Sequence, residues 1–161
     1  MLTTVSIRDA VLDSAKEVFE TMVFMALEDA GEDGAVTDEA AVLGSITFKG
    51  DLEGCLGVCC SPTCARTIAA NMLGMDNSES LGENETNDAI GEIANMVMGA
   101  VKSRIQQDAG AIEVSIPTVV QGRELRTNLG DKANRVTVRA NIEEEYTAVF
   151  SLLYRETTRR E

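Results

Sequence analysis

The stretch Asp88-Ala-Ile-Gly-Glu-Ile-Ala-Asn-Met-Val-Met-Gly99 separates polar from apolar residues at helical spacing. Asp88, Glu92, Asn95 and Gly99 follow one another at steps of four, three and four, so they lie along one side of an α-helix. The aliphatic residues of this stretch and its continuation fall on the opposite side: Ile90, Ile93, Ala94, Val97, Met98, Val101 and Ile105. The sequence therefore predicts a helix from about Glu85 to Asp108 that buries its aliphatic side and exposes Glu92 and Asn95.

The exposed polar stripe has features that favour a binding role. Lys102 prolongs the stripe, and Glu92 and Asn95 place a carboxylate and an amide one turn apart, a pair suited to holding a cation and positioning a water molecule. A glycine in a helix interior costs roughly 0.8 to 1 kcal/mol relative to alanine, so Gly99 needs a compensating benefit, such as close approach by a partner. The alternative interpretation is a solvated helix face with no further role.

Helical and strand-like patterns alternate along the rest of the chain. Gly50-Asp51 separates two strand-like runs and favours a hairpin turn, and Ser61-Pro62 is typical of the N-cap and first residue of a helix. The predicted helices are Arg8 to Ala30 with Gly31 as its stop, Pro62 to Gly74, and Glu85 to Asp108, and the predicted strands are Ala41 to Lys49, Leu52 to Cys60, Ile112 to Gln121, Arg135 to Glu143 and Tyr146 to Arg155.

These elements predict an α/β (α+β) fold in which a mostly antiparallel sheet packs with two long helices and a shorter third helix. We expect one domain over residues 1–161, with its core at about 8–155 and a frayed tail at 156–161. Polar connectors are expected at 34–39 and 76–83.

The polar stripe and the elements before it resemble a known family. The run Asp88-x-x-x-Glu92-x-x-Asn95, followed by Pro117 after 21 intervening residues, is similar to the active-site signature of the CheC/CheX/FliY phosphatases of bacterial chemotaxis. The segment from Gly44 to Gly74 resembles the strand, turn, strand and helix that precede this signature. The resemblance covers most of residues 8 to 154, and the CheX branch is the most similar. The gap before Pro117 is one residue shorter than the family pattern, a difference that a loop can absorb.

The resemblance implies a phosphatase that hydrolyses the aspartyl phosphate of a CheY-like response regulator. It assigns water positioning to Asn95 and pairing with the regulator's lysine to Glu92. Supporting roles fall on the neighbouring positions: partner binding on Asp88, Gly99 and Lys102, and structural support on Pro117. No cofactor is expected on this chain, because Mg²⁺ is expected on the partner. The alternative is a module that docks on a receiver domain, or in a motor or signalling assembly, without catalysis.

The resemblance also suggests a homodimer built through sheet edges, and the consecutive C-terminal strands are the predicted edge. The first helix resembles a second, earlier site, because Asp13 and Glu17 repeat the acidic positions of the signature. Glu20 stands where the amide would be, and a carboxylate cannot donate an N–H and repels a phosphoryl group. We therefore expect one working site; equally, Glu17 and Glu20 are ordinary helix-surface residues.

Composition excludes several classes of function. The chain has 27 acidic and 14 basic residues, a net charge of −13, which disfavours nucleic acid and anionic membranes and suits a lysine-bearing partner, or serves solubility. It contains no histidine, which excludes Ser–His and Cys–His nucleophilic catalysis. No secretory signal or membrane span is evident, so the cytoplasm is predicted.

Four cysteines lie within ten residues: Cys55, Cys59, Cys60 and Cys64. Their spacing and the lack of histidine do not match a zinc site, so buried free thiols are the preferred interpretation and no metal is expected.

Overall fold

In the computed structural model, three helices pack on one antiparallel sheet, which confirms the predicted fold class. The structure describes residues 4–31, 40–76, 81–123 and 133–157. Within these ranges the helices are α1 (Thr4–Val18), α2 (Pro62–Met72) and α3 (Glu83–Ala109), and a turn of π-helix, Phe19–Val23, follows α1. The strands are β1 (Leu27–Gly31), β2 (Ala41–Gly50), β3 (Leu52–Cys60), β4 (Ile112–Val114), β5 (Thr118–Gly122), β6 (Asn134–Ile142) and β7 (Tyr146–Glu156).

Most boundaries agree with the sequence. The hairpin turns at Gly50-Asp51, and Ser61 caps α2 by accepting a hydrogen bond from the Cys64 N–H at 3.1 Å. α3 ends at Ala109, one residue beyond the predicted end at Asp108, and Gly110 is its C-cap. Glu156, the first residue of the predicted frayed tail, belongs to β7. The rest of the tail from residue 158 lies outside the described residues, as do the predicted connector 34–39 and positions 77–80 of the second predicted polar loop.

The first helix is shorter than predicted. Phe24 takes a left-handed backbone conformation, φ 61°, and its N–H donates to the Phe19 carbonyl, which ends the helical turn. Beyond it, Leu27–Gly31 is not helix but strand, and Leu27 pairs with Ile142 of β6. The apolar residues before this point follow a helical period, so the prediction extended the helix into a segment whose strand pairing partner lies more than a hundred residues away.

The sheet runs in the order β1-β6-β7-β3-β2-β4, and β5 pairs with another part of β2. All of these pairings are antiparallel. The prediction that the C-terminal strands offer a free edge is wrong, because β6 and β7 lie inside the sheet and β1 covers β6. Among the described strands, the edges are β1 on one side and β4 with β5 on the other.

The predicted strand from Ile112 to Gln121 is two strands separated by a bulge. Val114 lies opposite Phe48 and Thr118 lies opposite Ser45. The segment from β4 to β5 therefore has one residue more than the stretch of β2 that it pairs with. Pro117, which has no N–H to donate to a sheet, falls within this bulge. The interruption therefore follows from the proline.

The core lies between the sheet and the helices. The aliphatic side of α3 is fully buried at Ile90, Ile93, Val97, Met98 and Val101. Phe19, in the π-helical turn, meets Phe150 of β7 edge to face, with the ring centroids 6.0 Å apart. No helix in the described ranges has the length and apolar composition needed to span a membrane.

Arg8 and Asp29 join α1 to β1, and this ion pair makes stability depend on pH. Hydrogen bonds from Arg8, at 2.8 and 3.1 Å, and from the Gly31 N–H lower the pKa of the Asp29 carboxyl. A depressed folded-state pKa adds stability above the unfolded value of about 3.9, and this contribution is lost as the pH falls through the folded value.

We expect Asp29→Asn to lower the free energy of unfolding at pH 7 by less than about 1 kcal/mol, because the pair is partly exposed. In urea unfolding measured over a series of pH values, the difference in free energy of unfolding between the variant and the wild type should shrink as the pH falls below about 3.9. Glu28→Gln, on an exposed neighbour in β1, is the control. A deficit in Asp29→Asn that stays constant down to pH 2.5 would contradict the assignment.

Candidate functional site

The structure places the predicted polar stripe on the solvent side of α3. Asp88, Glu92, Asn95 and Gly99 are exposed, and Lys102 is half-buried on the flank of the helix. Because the opposite side of α3 is buried against the sheet, these side chains project from a rigid support.

The side chains of Asn95 and Glu92 have no hydrogen-bond or ion-pair partner among the described residues. Both groups are therefore available to a ligand without breaking a contact within the chain. An exposed amide and carboxylate one turn apart offer one neutral group that both donates and accepts hydrogen bonds, and one anionic acceptor.

Gly99 lies in open space. A Cβ atom built on Gly99 meets no heavy atom within 4 Å in the described part of the chain. Packing within the chain therefore does not require glycine at this position, and the helix still loses stability through it. Its role in clearance for a partner stays a prediction.

Pro117 packs against α3 from the side of β5. A Cβ atom built on Gly91 would lie 3.6 Å from Cγ of Pro117 and 3.4 Å from Cγ2 of Val119. These are ordinary contact distances, so a methyl group would fit at Gly91, and the strand segment packs against the helix one turn before Asn95. The sequence interpretation missed Gly91, because its neighbours lie far along the chain.

Two polar links hold α3 in place, and both were missed from the sequence. Arg104 of α3 lies 2.9 Å from the Glu17 carboxylate and donates to the Ser14 hydroxyl at 3.3 Å, which connects α3 to α1. Near the start of α3, the Gln121 amide of β5 donates to Asn87 at 2.9 Å. The polar stripe is thus held at both ends of the helix.

The structure gives two physical reasons against a second site on the first helix. Glu17 is engaged by Arg104, and Glu20 lies in the π-helical turn rather than in regular α-helix. The residues Asp13, Glu17 and Glu20 therefore do not reproduce the geometry of the stripe on α3. Glu17 acts as a surface ion-pair partner instead.

The four cysteines are free thiols; Cys59 is half-buried and the other three are buried. Hydrogen bonding to Cys64, together with burial, raises the pKa of Cys60 well above its usual value, and burial raises the pKa of Cys55 and Cys59. Higher thiol pKa values mean less thiolate, and the thiolate is the form that binds metals and attacks electrophiles. Among the described residues, no group of three or more Cys, Asp or Glu side chains is arranged to hold a metal ion.

The profile of the family described as "Chemotaxis phosphatase CheX" matches residues 42–141, more than half of the chain. The chain belongs to the CheX family. The match spans β2 to β6 and includes all of the predicted site residues: Asp88, Glu92, Asn95, Gly99, Lys102 and Pro117. No curated protein matches the sequence.

Solved structures share the fold of this CheX-family protein. CheX from Vibrio vulnificus is 24% identical, with a TM-score of 0.77, over 96% of this chain and 100% of that chain. A CheC-like superfamily protein from Shewanella sp. PV-4 is 26% identical, with a TM-score of 0.68, over 94% and 98%. A CheX–CheY–BeF₃–Mg²⁺ complex from Borrelia burgdorferi includes a chain that is 15% identical, with a TM-score of 0.71, over 92% and 97%.

Proposed function

We propose that this protein hydrolyses the aspartyl phosphate of a CheY-like response regulator. The observation that carries the proposal is the exposed, partnerless pair of Glu92 and Asn95 on α3, within the region that matches the CheX family. The structure of the Borrelia burgdorferi CheX with CheY, BeF₃ and Mg²⁺ supports the choice of partner.

Asn95 is the proposed water-positioning residue. Its amide oxygen accepts a hydrogen bond from the attacking water, while its NH₂ group donates to a phosphoryl oxygen. The water oxygen forms a bond to phosphorus, the bond from phosphorus to the aspartyl oxygen breaks, and inorganic phosphate and a free carboxylate result. Asparagine is not a base at neutral pH, so the proton of the water passes to phosphate or solvent. A neutral amide also avoids repulsion by the phosphoryl charge.

Phosphoryl transfer needs positioning and charge neutralisation more than covalent help. The partner's Mg²⁺ and lysine would neutralise the phosphoryl oxygens, so this chain needs no cofactor of its own. The missing element is the group that fixes the water, and α3 presents it on a helix that is held at both ends.

Glu92 is the proposed partner of the receiver's lysine. Its carboxylate lies one turn from Asn95 on the same exposed side, so an ion pair there would set the angle at which α3 enters the receiver's active site. Asp88, Gly99 and Lys102 would border this contact, and Pro117, beside Gly91, would support the position of α3.

The test of the function is the decay of phosphorylated receiver domains from the same cell, followed in Mg²⁺ with and without this protein. Faster decay of at least one receiver is the expected result. Binding of a phosphorylated receiver without faster decay would instead identify a docking module that lacks catalysis.

Glu92→Ala should weaken receiver binding about tenfold and flatten its dependence on salt, because a charge pair at the interface is lost. Isothermal titration calorimetry at two or more salt concentrations measures both effects. Glu113→Ala, which removes the same charge from an exposed position on β4, is the matched control. Wild-type affinity of Glu92→Ala at low salt would rule out the lysine pairing.

A further inference from the structure

Ile116 is the most exposed of the large apolar side chains in the described ranges, at 86% exposure. It lies in the bulge between β4 and β5, where the three residues from Ser115 to Pro117 lie opposite the two residues Ile46 and Thr47 of β2. Bulges commonly redirect a side chain next to a functional site.

The bulge is fixed by hydrogen bonds between Ser115 and Thr47. The Ser115 N–H donates to the Thr47 carbonyl at 2.9 Å, and the Ser115 hydroxyl accepts from the Thr47 N–H and hydroxyl at 3.1 and 2.8 Å. These contacts anchor the backbone immediately before Ile116. Exposure of this residue is therefore part of a defined conformation.

Strand directions place Ile116 on the Asn95 side of α3. Pro117 contacts the helix at Gly91, and Asn95 is one turn further along the same flank. From Pro117 toward the N-terminus, the chain passes through β4, which pairs with β2 as far as Gly50. β4 follows directly after the C-terminal end of α3. The step from Pro117 to Ile116 therefore moves in the same direction as the step from Gly91 to Asn95.

A single exposed isoleucine is ordinary on a protein surface. Ile116 differs because an anchored bulge holds it on the side of α3 that carries Glu92 and Asn95, whose side chains have no hydrogen-bond or ion-pair partner among the described residues. Protein interfaces commonly place an apolar anchor beside the polar groups that fix orientation.

We propose that Ile116 is a docking residue that inserts into an apolar depression of the receiver domain, beside the phosphorylated aspartate. The inference rests on the proposed function and adds a second class of contact to it. α3 supplies the polar groups that act on the phosphoryl group and its surroundings, and the bulge supplies an apolar contact that contributes affinity.

The test compares Ile116→Ser with Val120→Ser. Val120 is 44% exposed and lies on β5. The side chain of Val119 faces α3 at Gly91, so Val120 points to the opposite face of the sheet by strand alternation. The two variants thus remove similar apolar groups from the same segment on opposite faces.

The receiver that the wild type dephosphorylates fastest is loaded with beryllofluoride, a stand-in for the phosphoryl group, and Mg²⁺, and its affinity is measured by calorimetry. We expect Ile116→Ser to bind about tenfold more weakly and to raise KM about tenfold with kcat within twofold of wild type. Val120→Ser should match the wild type, and the urea midpoints of both variants should stay unchanged.

Receiver affinity of Ile116→Ser within twofold of wild type, or equal losses in both variants, would overturn the inference. A change in oligomeric state by analytical ultracentrifugation with unchanged receiver affinity would assign Ile116 to self-association and would overturn it too. If the wild type accelerates the decay of no receiver, the proposed function fails and the inference fails with it. Failure of the inference alone is recognised by wild-type acceleration of receiver decay together with unchanged receiver affinity of Ile116→Ser.

Discussion

Asn95→Ala should lower the rate of receiver dephosphorylation by about 100-fold or more while receiver affinity changes little. A group that positions water acts mainly in the transition state, so its loss reduces kcat and leaves ground-state binding almost intact. Single-turnover decay of the phosphorylated receiver at saturating protein measures the loss directly.

Folding cannot account for such a loss. The Asn95 side chain is exposed and makes no hydrogen bond among the described residues, and alanine is the better helix former, so the variant should be at least as stable as the wild type. Gln106→Ala removes another exposed amide from the same helix and should keep wild-type activity. Undiminished turnover in Asn95→Ala would refute the assigned mechanism.

Gly44→Val should lower the free energy of unfolding by about 3 kcal/mol, since β2 and α3 leave no room for a side chain at this point. A Cβ atom on Gly44 would lie 2.8 Å from Cγ2 of Ile90 and 3.2 Å from the Ile90 carbonyl oxygen. Ile90 stands between Asp88 and Glu92, so relief of the clash moves the helix that carries the site. A displacement near 1 Å can cost up to about 100-fold in rate.

Urea unfolding and receiver dephosphorylation by the folded variant measure the two effects of Gly44→Val. Ser45→Val places the same side chain at the next position, on the opposite face of β2, and should stay within about 0.5 kcal/mol of wild type. A loss below about 1 kcal/mol in Gly44→Val would mean that the sheet and α3 do not meet as closely as the structure shows.

Local sequence features account for much of the fold. The Gly50-Asp51 turn, the Ser61 cap and the 3.6-residue period of α3 each act over a few residues, and each was predictable. The exposure of Glu92 and Asn95 followed from the same period. Their proposed roles depend on the resemblance and on the experiments above.

The features that were missed depend on residues far apart in the sequence. β1 exists because Leu27 meets Ile142, and a helical period up to Met25 gave no sign of that pairing. The close approach at Gly44 and the contact between Gly91 and Pro117 arise only when α3 lies on the sheet. The glycine at position 44 shows that space is needed there, and the sequence does not show which neighbour needs it.

The bridge from Arg104 to Glu17 has a consequence for stoichiometry. The bridge engages Glu17, which stands in the first helix where Glu92 stands in α3, and α1 contains no asparagine or glutamine. Among the described residues, α3 is therefore the only one of these two helices with an unpaired carboxylate and an amide one turn apart. Under the proposed function each chain then holds a single receiver at a time. The capacity of a cell to clear phosphorylated receivers would rise in proportion to the number of chains, with no second binding event on the same chain to make the response cooperative.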